Sequence, residues 1–401
     1  MLTAWWTAWL ATLNHPSNPQ TAIEPVSDDT WIQKFASIGD SYAAGLGSGP
    51  RLDWSCSRYS QAYPNIVYDS LNQDVSNRTH QSLACSGADT TEILAKQIPA
   101  LDSNINLLTI SAGGNDIGLT PILSNCIYQF YMAGSDACSK SISEAQSKIA
   151  NDTQLYQNIT RLLSAAQPKL NKTHSLIYLT GYARFFGTDD STCDNVTWAV
   201  WRNVETHKQY LSLPLRQALN DMVLAVNAVL RRAAEAAGPH VRFIDYDSRI
   251  AALRGRYCEL GIHEPDPNRS GLVFYEWDTV DTGENRTVLQ NRTGEDVPKG
   301  SFESGIAEEV NKTLTEHPEW RFDPEKGFVD RNKSSSEVTK SSDGVDGEGI
   351  VEDTIHWLIP DSYKRVFHLR PEGQGVVARM VVEDLRKRGV RGRRGGEVME
   401  L

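Results

Sequence analysis

Short apolar runs alternate with longer amphipathic stretches along most of the 401-residue chain. Five runs have the length and apolar content of buried strands, and they are Lys34–Ile38, His80–Ala84, Asn106–Ile110, Leu176–Thr180 and Val241–Asp245. Five stretches place apolar residues at helical spacing, and they are Gln61–Leu71, Thr90–Leu101, Ile142–Ala166, Pro214–Ala237 and Pro371–Lys387. Strands that alternate with helices build parallel sheets covered on both faces. The pattern therefore predicts an α/β fold with a central parallel sheet.

One region interrupts this pattern. From about residue 265 to residue 350 the chain is polar, carries five of its ten N-x-S/T sequons and ends in RNKSSSEVTKSSDGVDGEG, a composition that buries too little apolar surface to order itself. We therefore expect one domain in two parts, 31–264 and 351–390, separated by a glycosylated, partly disordered insertion at 265–350. Residues 391–401 are expected to form a basic, disordered tail. Within the insertion, the apolar run Leu272–Trp277 could form a small cap.

Cysteine usage and sequons indicate the compartment. The six cysteines include no C-x-x-C pair, and the chain has no H-E-x-x-H or other compact ligand spacing, so no metal site is expected. Three disulfides in an oxidising compartment are expected instead. The ten sequons exceed what this composition gives by chance and favour a secreted glycoprotein from a eukaryotic secretory pathway. Residues 1–30 are expected to be a weak leader or a disordered N-terminus, since no Lys or Arg precedes the apolar run there.

Charge and hydropathy argue against several other classes of protein. The chain has 40 Lys and Arg against 51 Asp and Glu, a formal net charge of −11, whereas nucleic-acid binding needs a basic surface. No segment of 18 or more consecutive apolar residues occurs, so no membrane span is expected. The chain also lacks G-x-G-x-x-G and a P-loop, which argues against a nucleotide-binding module.

Four short motifs lie at the ends of the predicted elements. IGDSYAAG at 38–45, ACSGA at 84–88 and GGND at 113–116 each follow a predicted strand, and VFHLRPEG at 366–373 runs into the final predicted helix. The carboxyl ends of parallel strands meet at one sheet edge, where α/β proteins keep their chemistry. This set, in this order, resembles the SGNH (GDSL-type) hydrolase family. The resemblance implies a flavodoxin-like three-layer α/β/α sandwich that hydrolyses esters without a metal or cofactor.

The resemblance assigns roles to four residues. Ser41 is the nucleophile, and His368 is the base that deprotonates it and later protonates the leaving alkoxide. The oxyanion hole consists of the backbone N–H groups of Ser41 and Gly87 and the side-chain amide of Asn115. The purely structural alternatives are a simple turn at Gly87 and a helix cap at Asn115.

The sequence leaves two questions open, namely which histidine is the base and which group orients its ring. The family's usual D-x-x-H block matches literally at Asp353 to His356, but the segment that enters the final helix has Arg365 three residues before His368. We prefer His368 because the layout FH-x-x-P-x-G before a closing helix is similar to that of the family. One branch of the family, resembling the secreted suberin-type esterases, uses a Ser–His dyad in which a backbone carbonyl three residues before the histidine orients its ring. By this resemblance, the carbonyl of Arg365 would orient the ring of His368 here. Asp361 or Asp353 could instead serve as the acid.

The same branch implies two further features. One is the disulfide pairing Cys56–Cys85, Cys126–Cys138 and Cys193–Cys258, which is one of 15 possible connectivities. The other is the aromatic-rich turn Thr180–Phe186 (TGYARFF), which either lines an acyl pocket or belongs to the ordinary core.

The sequence thus predicts a secreted carboxylic-ester hydrolase that works through an acyl-serine, and we expect a monomer. Lipids, plant polyesters and acetylated glycans are all open as the ester substrate, and a phospholipase is also possible. The departures from the family pattern at Arg365 and Leu369 motivate one alternative, a non-catalytic secreted binding protein on the same fold.

Overall fold

The structure, a computed structural model, describes residues 29–53, 55–71, 75–128, 136–150, 154–199, 208–276, 279, 318–323, 327–330 and 365–394. Its strands are β1 (Lys34–Gly39), β2 (Arg51–Asp53), β3 (Arg58–Tyr59), β4 (Thr79–Ser82), β5 (Leu107–Ser111), β6 (Leu176–Thr180), β7 (Val241–Ile244), β8 (Trp320–Asp323) and β9 (Gly327–Asp330). Five of them form one sheet in the order β4–β1–β5–β6–β7, in which every neighbouring pair is parallel. The predicted central parallel sheet is confirmed.

The helices flank this sheet. They are α1 (Ser41–Ala44), α2 (Tyr63–Asp69), α3 (Thr90–Glu92), α4 (Ile98–Ala100), α5 (Leu119–Ile122), α6 (Ala137–Ala150), α7 (Gln154–Ala166), α8 (Leu213–Ala237), α9 (Asp247–Ala252) and α10 (Pro371–Arg394), with π-helical turns at Ile93–Gln97 and Leu123–Tyr128 and a 3₁₀ turn at Gln167–Lys169. The single helix predicted over Ile142–Ala166 is two helices, α6 and α7. The sequence between them is Asn-Asp-Thr, and these residue types have low helix propensity.

Two helical layers enclose the sheet. In one layer α2 contacts α10, and in the other α8 contacts α6 and α7. Strands β5 and β6 are buried at every position, as expected when a parallel sheet is covered on both faces. The three-layer α/β/α sandwich is therefore observed, and its two apolar faces form one continuous core with the helices.

A short segment after the last strand of the sheet also belongs to this core. Residues 272–275 are fully buried, although the sequence places them within the polar insertion. Phe274 forms an isolated β-bridge with Leu369, and Tyr275 forms one with Val366. The segment therefore packs against the loop that leads into α10. The strands β8 and β9, also within 265–350, pair with each other in antiparallel orientation. Helix α10 continues past residue 390 to Arg394.

Three disulfides cross-link the chain, at Cys56–Cys85, Cys126–Cys138 and Cys193–Cys258, the pairs that the resemblance implies. In the part of the chain that the structure describes, no helix combines the length and the apolar character needed to cross a membrane. The same residues contain no group of three or more His, Cys, Asp or Glu side chains arranged to hold a metal ion.

Candidate active site

The turn after β1 presents Ser41 at the carboxyl edge of the sheet. Gly39 has a φ of +136°, and a Cβ there would lie 2.2 Å from the carbonyl oxygen of Ser111, so only glycine lets β1 approach β5 this closely. Asp40 caps α1, because its carboxylate accepts the backbone N–H of Tyr42 at 3.0 Å. Ser41 is the first residue of α1, and its own N–H has no acceptor within the helix.

The imidazole of His368 reaches this serine from the loop before α10. Its Nε2 lies 2.6 Å from Ser41 Oγ, and both side chains are buried. Its Nδ1 lies 3.3 Å from the backbone carbonyl oxygen of Val366. A proton on Nδ1, donated to that carbonyl, leaves Nε2 as the acceptor of the serine hydroxyl. The structure thus brings together the two residues for which the sequence predicts nucleophile and base.

Backbone hydrogen bonds hold the loop that carries His368. The N–H of Tyr275 donates to the carbonyl of His368 at 2.9 Å, and the N–H of Phe367 donates to the carbonyl of Tyr275 at 3.0 Å. The hydroxyl of Tyr42 donates to the carbonyl of Phe367 at 2.8 Å. Phe367 has a φ of +69°, a left-handed conformation that a bulky residue seldom adopts. Such backbone strain persists where the surroundings over-determine it, often next to functional groups.

The sequence predicts the backbone carbonyl of Arg365 as the group that orients the imidazole. In the structure, the carbonyl oxygen of Val366 lies 3.3 Å from Nδ1 of His368. The carbonyl of Arg365 accepts the backbone N–H of His368 at 2.7 Å. Asp353, Asp361 and the alternative base His356 lie outside the described residues.

The side chain of Arg365 has a packing role. Its guanidinium lies over the ring of Tyr275, 4.4 Å from the ring centroid, and donates to the carbonyl of Thr279 at 3.0 Å. Leu369, the other departure from the family pattern, is fully buried, and its carbonyl accepts the hydroxyl of Ser48 at 2.7 Å. Both residues therefore brace the histidine loop.

The two remaining oxyanion-hole candidates lie on loops fixed by the fold. Gly87 has a φ of +86° and follows the disulfide between Cys56 and Cys85 by two residues. The amide nitrogen of Asn115 donates to the carbonyl of Ala88 at 3.0 Å. A side-chain amide has two N–H groups, so this bond orients the amide and uses one of them. The contact also ties the Asn115 loop to the Gly87 loop.

A buried hydrogen-bond network lies beneath Ser41. One carboxylate oxygen of Asp40 accepts the hydroxyl of Ser111 at 2.8 Å as well as the N–H of Tyr42, and the other accepts the hydroxyl of Tyr182 at 2.6 Å. The Tyr182 hydroxyl in turn accepts the N–H of Gly114 at 3.1 Å. Burial raises the pKa of Asp40 to about 6, although these hydrogen bonds favour its ionised form.

An apolar cavity of about 40 Å³ lies next to this network. It is bordered by Gly114, the neighbour of Asn115, and by Phe367, the neighbour of His368. The other lining residues come mainly from α5, α8 and the turn after β6, and they are Ile117, Leu119, Ile122, Leu123, Tyr182, Phe185, Leu219, Met222, Val223 and Val226. Within the TGYARFF turn, Tyr182 and Phe185 line this cavity, whereas Phe186 is fully buried in the core.

Sequence reasoning missed Tyr42 as part of this site, and it included Tyr275 only as a member of the possible cap Leu272–Trp277. Tyr42 is adjacent to Ser41, and its ring packs 5.1 Å from the ring of His368, but a tyrosine after GDS carries no distinctive pattern. Tyr275 had a usable signal, because four consecutive large apolar residues inside a polar region indicate a segment that needs a core to pack against.

Comparisons with known proteins identify the family of the chain. Residues 37–265, more than half of the chain, match the profile of the GDSL-like lipase/acylhydrolase family. The chain is 29% identical over 219 residues to lipase 1 of Streptomyces coelicolor, a match that covers 54% of this chain and 70% of that protein. It is 33% identical over 159 residues to a lipase of Streptomyces rimosus, covering 38% of this chain and 53% of that protein.

Among solved structures, the crystal structure of an extracellular lipase from Streptomyces rimosus is similar at 26% identity and a TM-score of 0.46, covering 58% of this chain and 86% of that one. The extent of the family match decides the assignment, and it includes the motifs that contain Ser41, Gly87 and Asn115. The chain belongs to the GDSL-like lipase/acylhydrolase family and is a carboxylic ester hydrolase.

Proposed function

We propose that this protein is a secreted serine esterase of lipase type that works through an acyl-serine on Ser41. The observation that carries the mechanism is the 2.6 Å contact between Ser41 Oγ and His368 Nε2, a pairing of nucleophile and base within hydrogen-bond reach. Both groups lie beside loops that can supply oxyanion donors.

The proposed reaction has two steps of the same kind. His368 Nε2 takes the hydroxyl proton as Ser41 Oγ bonds to the ester carbonyl carbon, and the carbonyl oxygen becomes an oxyanion. The N–H groups of Ser41 and Gly87 and the amide of Asn115 stabilise that charge. The intermediate collapses as the carbon–alkoxide bond breaks and His368 protonates the alkoxide. A water molecule, deprotonated by His368, then hydrolyses the acyl-serine by the same route.

A carbonyl can orient the base in this scheme without a carboxylate. What catalysis requires of the third group is an acceptor that keeps the proton on Nδ1, so that Nε2 faces the nucleophile. The carbonyl of Val366 supports that role at 3.3 Å, and we propose a Ser–His dyad on this basis. Asp353 or Asp361 as an acid would make it a triad.

The cavity next to Gly114 supports esters with an apolar acyl group as substrates. Its lining is aliphatic and aromatic, so it excludes water from an acyl chain and offers no partner for sugar hydroxyls. Its volume is small, about 40 Å³. We therefore expect a short acyl chain to require less movement of the lining side chains than a long one.

Secretion is proposed from covalent features of the chain. All six cysteines are paired in disulfides, and structural disulfides persist in oxidising compartments. The ten sequons are in keeping with passage through a secretory pathway.

The experiment that tests the function compares wild type with Ser41→Ala on p-nitrophenyl esters from acetate to palmitate. Ser139→Ala, at an exposed serine whose hydroxyl contacts only the turn at Asp136, is the matched control. We expect hydrolysis to fall to background in S41A, to stay unchanged in S139A and to be fastest for short to medium chains.

A fluorophosphonate probe tests the nucleophile directly. We expect it to label wild type and S139A at Ser41 and to leave S41A unlabelled. Folded wild type that neither hydrolyses any of the esters nor takes the label would contradict the proposal and favour the non-catalytic binding protein.

A further inference from the structure

The hydroxyl of Tyr182 lies between the two turns that the proposed chemistry needs. It donates to Asp40, the residue before Ser41, at 2.6 Å, and it accepts from the N–H of Gly114, the residue before Asn115, at 3.1 Å. This inference rests on the proposed function of Ser41.

The main chain of Tyr182 is held firmly, so its hydroxyl has a defined position. The side-chain amide of Asn227, on α8, accepts the N–H of Tyr182 at 2.8 Å and donates to its carbonyl at 2.7 Å. Asn227 is itself buried. Two opposed hydrogen bonds from one amide fix the backbone of the turn, and the ring of Tyr182 packs edge-on against Tyr42 at 5.0 Å.

The residues facing the hydroxyl suit this contact. Gly114 has no side chain, and a Cβ there would lie 3.3 Å from the Tyr182 hydroxyl oxygen, which is tighter than an ordinary contact. Asp40 is buried, and a buried carboxylate is stable only when hydrogen bonds satisfy it. The hydroxyl therefore serves both sides, as a donor to the carboxylate and as an acceptor for the backbone N–H.

We propose that Tyr182 is a positioning residue that holds the Asn115 oxyanion donor in register with Ser41. Oxyanion donors act only when they are held at hydrogen-bond distance from the charge that develops. Ser41 and Asn115 lie on separate strand-end loops, after β1 and after β5. The Tyr182 hydroxyl ties the two loops together beneath the reacting atoms without touching substrate through its oxygen.

The variant Tyr182→Phe removes the hydroxyl and keeps the ring that lines the cavity. We expect kcat on p-nitrophenyl butyrate to fall by about 10- to 100-fold, since misplacing a catalytic group by a fraction of an ångström to 1 Å costs rate of this order. We expect KM to change by less than about threefold, because the ring still lines the cavity. Phosphonylation of Ser41 by a fluorophosphonate should slow by the same factor as kcat.

Tyr178→Phe is the matched control. Tyr178 is also buried on β6, and its hydroxyl donates to a carboxylate, that of Asp384, at 2.9 Å. Tyr178→Phe therefore also removes a tyrosine–aspartate hydrogen bond, but one to Asp384 in the second half of α10. We expect a loss of melting temperature comparable to that of Y182F, with kcat within about twofold of wild type.

A second variant, Gly114→Ala, displaces the hydroxyl from the other side. We expect it to lower kcat in the wild-type background and to cost less in the Y182F background, because the displaced hydroxyl is then absent. If Y182F is poorly stable, the loss of kcat in the single variant G114A still tests the proposal, because a Cβ at residue 114 would lie 3.3 Å from the Tyr182 hydroxyl oxygen.

Three results separate the possible failures. If Y182F keeps the wild-type kcat while S41A is inactive, the positioning role is wrong and the function stands. If Y178F loses as much kcat as Y182F, the effect is general destabilisation and the positioning role is again wrong. If folded wild type hydrolyses no faster than S41A, the proposed function fails and this inference fails with it.

Discussion

The hydroxyl of Tyr42 donates to the carbonyl of Phe367 at 2.8 Å, which bonds the residue after the nucleophile to the residue before the base. The two are separated by 325 positions in the chain. Because Phe367 also has a left-handed backbone, this bond helps to fix the direction in which the peptide leads to His368. The distance between Ser41 and His368 therefore depends on a tyrosine that need not touch substrate.

Tyr42→Phe should reduce activity more than stability. Removing one hydrogen bond costs about 1 kcal/mol of unfolding free energy, whereas loosening the base relative to the nucleophile should lower kcat about 10-fold. Tyr68→Phe is the control, since the Tyr68 hydroxyl also donates to a backbone carbonyl, that of Arg78, at 3.1 Å. Steady-state kinetics and thermal melts of both variants test this, and equal kcat values in the two would contradict it.

The disulfide Cys56–Cys85 should support catalysis as well as stability. Replacing both cysteines with serine removes a bridge across 29 residues and should cost about 3 kcal/mol. Cys85 lies two residues before Gly87, so kcat should also fall as that loop loosens. The pair Cys126–Cys138 closes only 12 residues next to the cavity-lining turn, and its removal should change KM rather than kcat. If removing Cys56–Cys85 changed only KM while removing Cys126–Cys138 lowered kcat, the bridge Cys56–Cys85 would not position Gly87.

Val223 should limit the length of the acyl chain. It lines the cavity from α8, and Val223→Ala makes room for more apolar substrate. Each buried methylene is worth about 0.8 kcal/mol, so the ratio of kcat/KM for octanoate over butyrate should rise about fourfold. Val229→Ala is matched, because Val229 is equally buried on the same helix and does not line the cavity. An unchanged ratio in V223A would place the acyl chain elsewhere.

The pair Glu276 and Glu264 should make stability fall with rising pH. Burial, then the charge of Glu264, raises the pKa of Glu276 to about 9, from an ordinary value of 4.5. Between these two pH values the folded state holds a proton that the unfolded state has lost, so the free energy of unfolding decreases as pH rises from about 4.5 to about 9. Asp266 also faces the pair, since its N–H donates to both carboxyls.

Glu276→Gln should abolish most of that pH dependence. The amide cannot ionise, so we expect the melting temperature at pH 9 to rise by roughly 5 °C, with little change near pH 4.5. The control is Glu372→Gln, at a more exposed residue whose contact with Arg370 is 3.8 Å. Melts across the pH range test this, and a slope in E276Q as steep as in wild type would assign the effect to another group.

The sequence by itself determined which motifs lie at the ends of the strands. GDS, SGA and GGND each follow an apolar run that forms a strand, with ends shifted by two residues at most, because local hydrophobic patterns specify strands and the turns that follow them. Parallel pairing then necessarily gathers the strand ends at one edge. The resemblance of these motifs to the SGNH family then assigned roles to Ser41, Gly87, Asn115 and His368.

Only the tertiary structure decided how these groups are held. Tyr42 with Phe367, Tyr182 with Asp40 and Tyr275 with His368 join residues that are far apart in sequence, and their hydrogen bonds arise from how the helical layers and the buried segment 272–276 pack on the sheet. Such contacts leave no local periodicity, because a buried tyrosine in a turn has the same sequence pattern whether its hydroxyl meets a catalytic loop or the core.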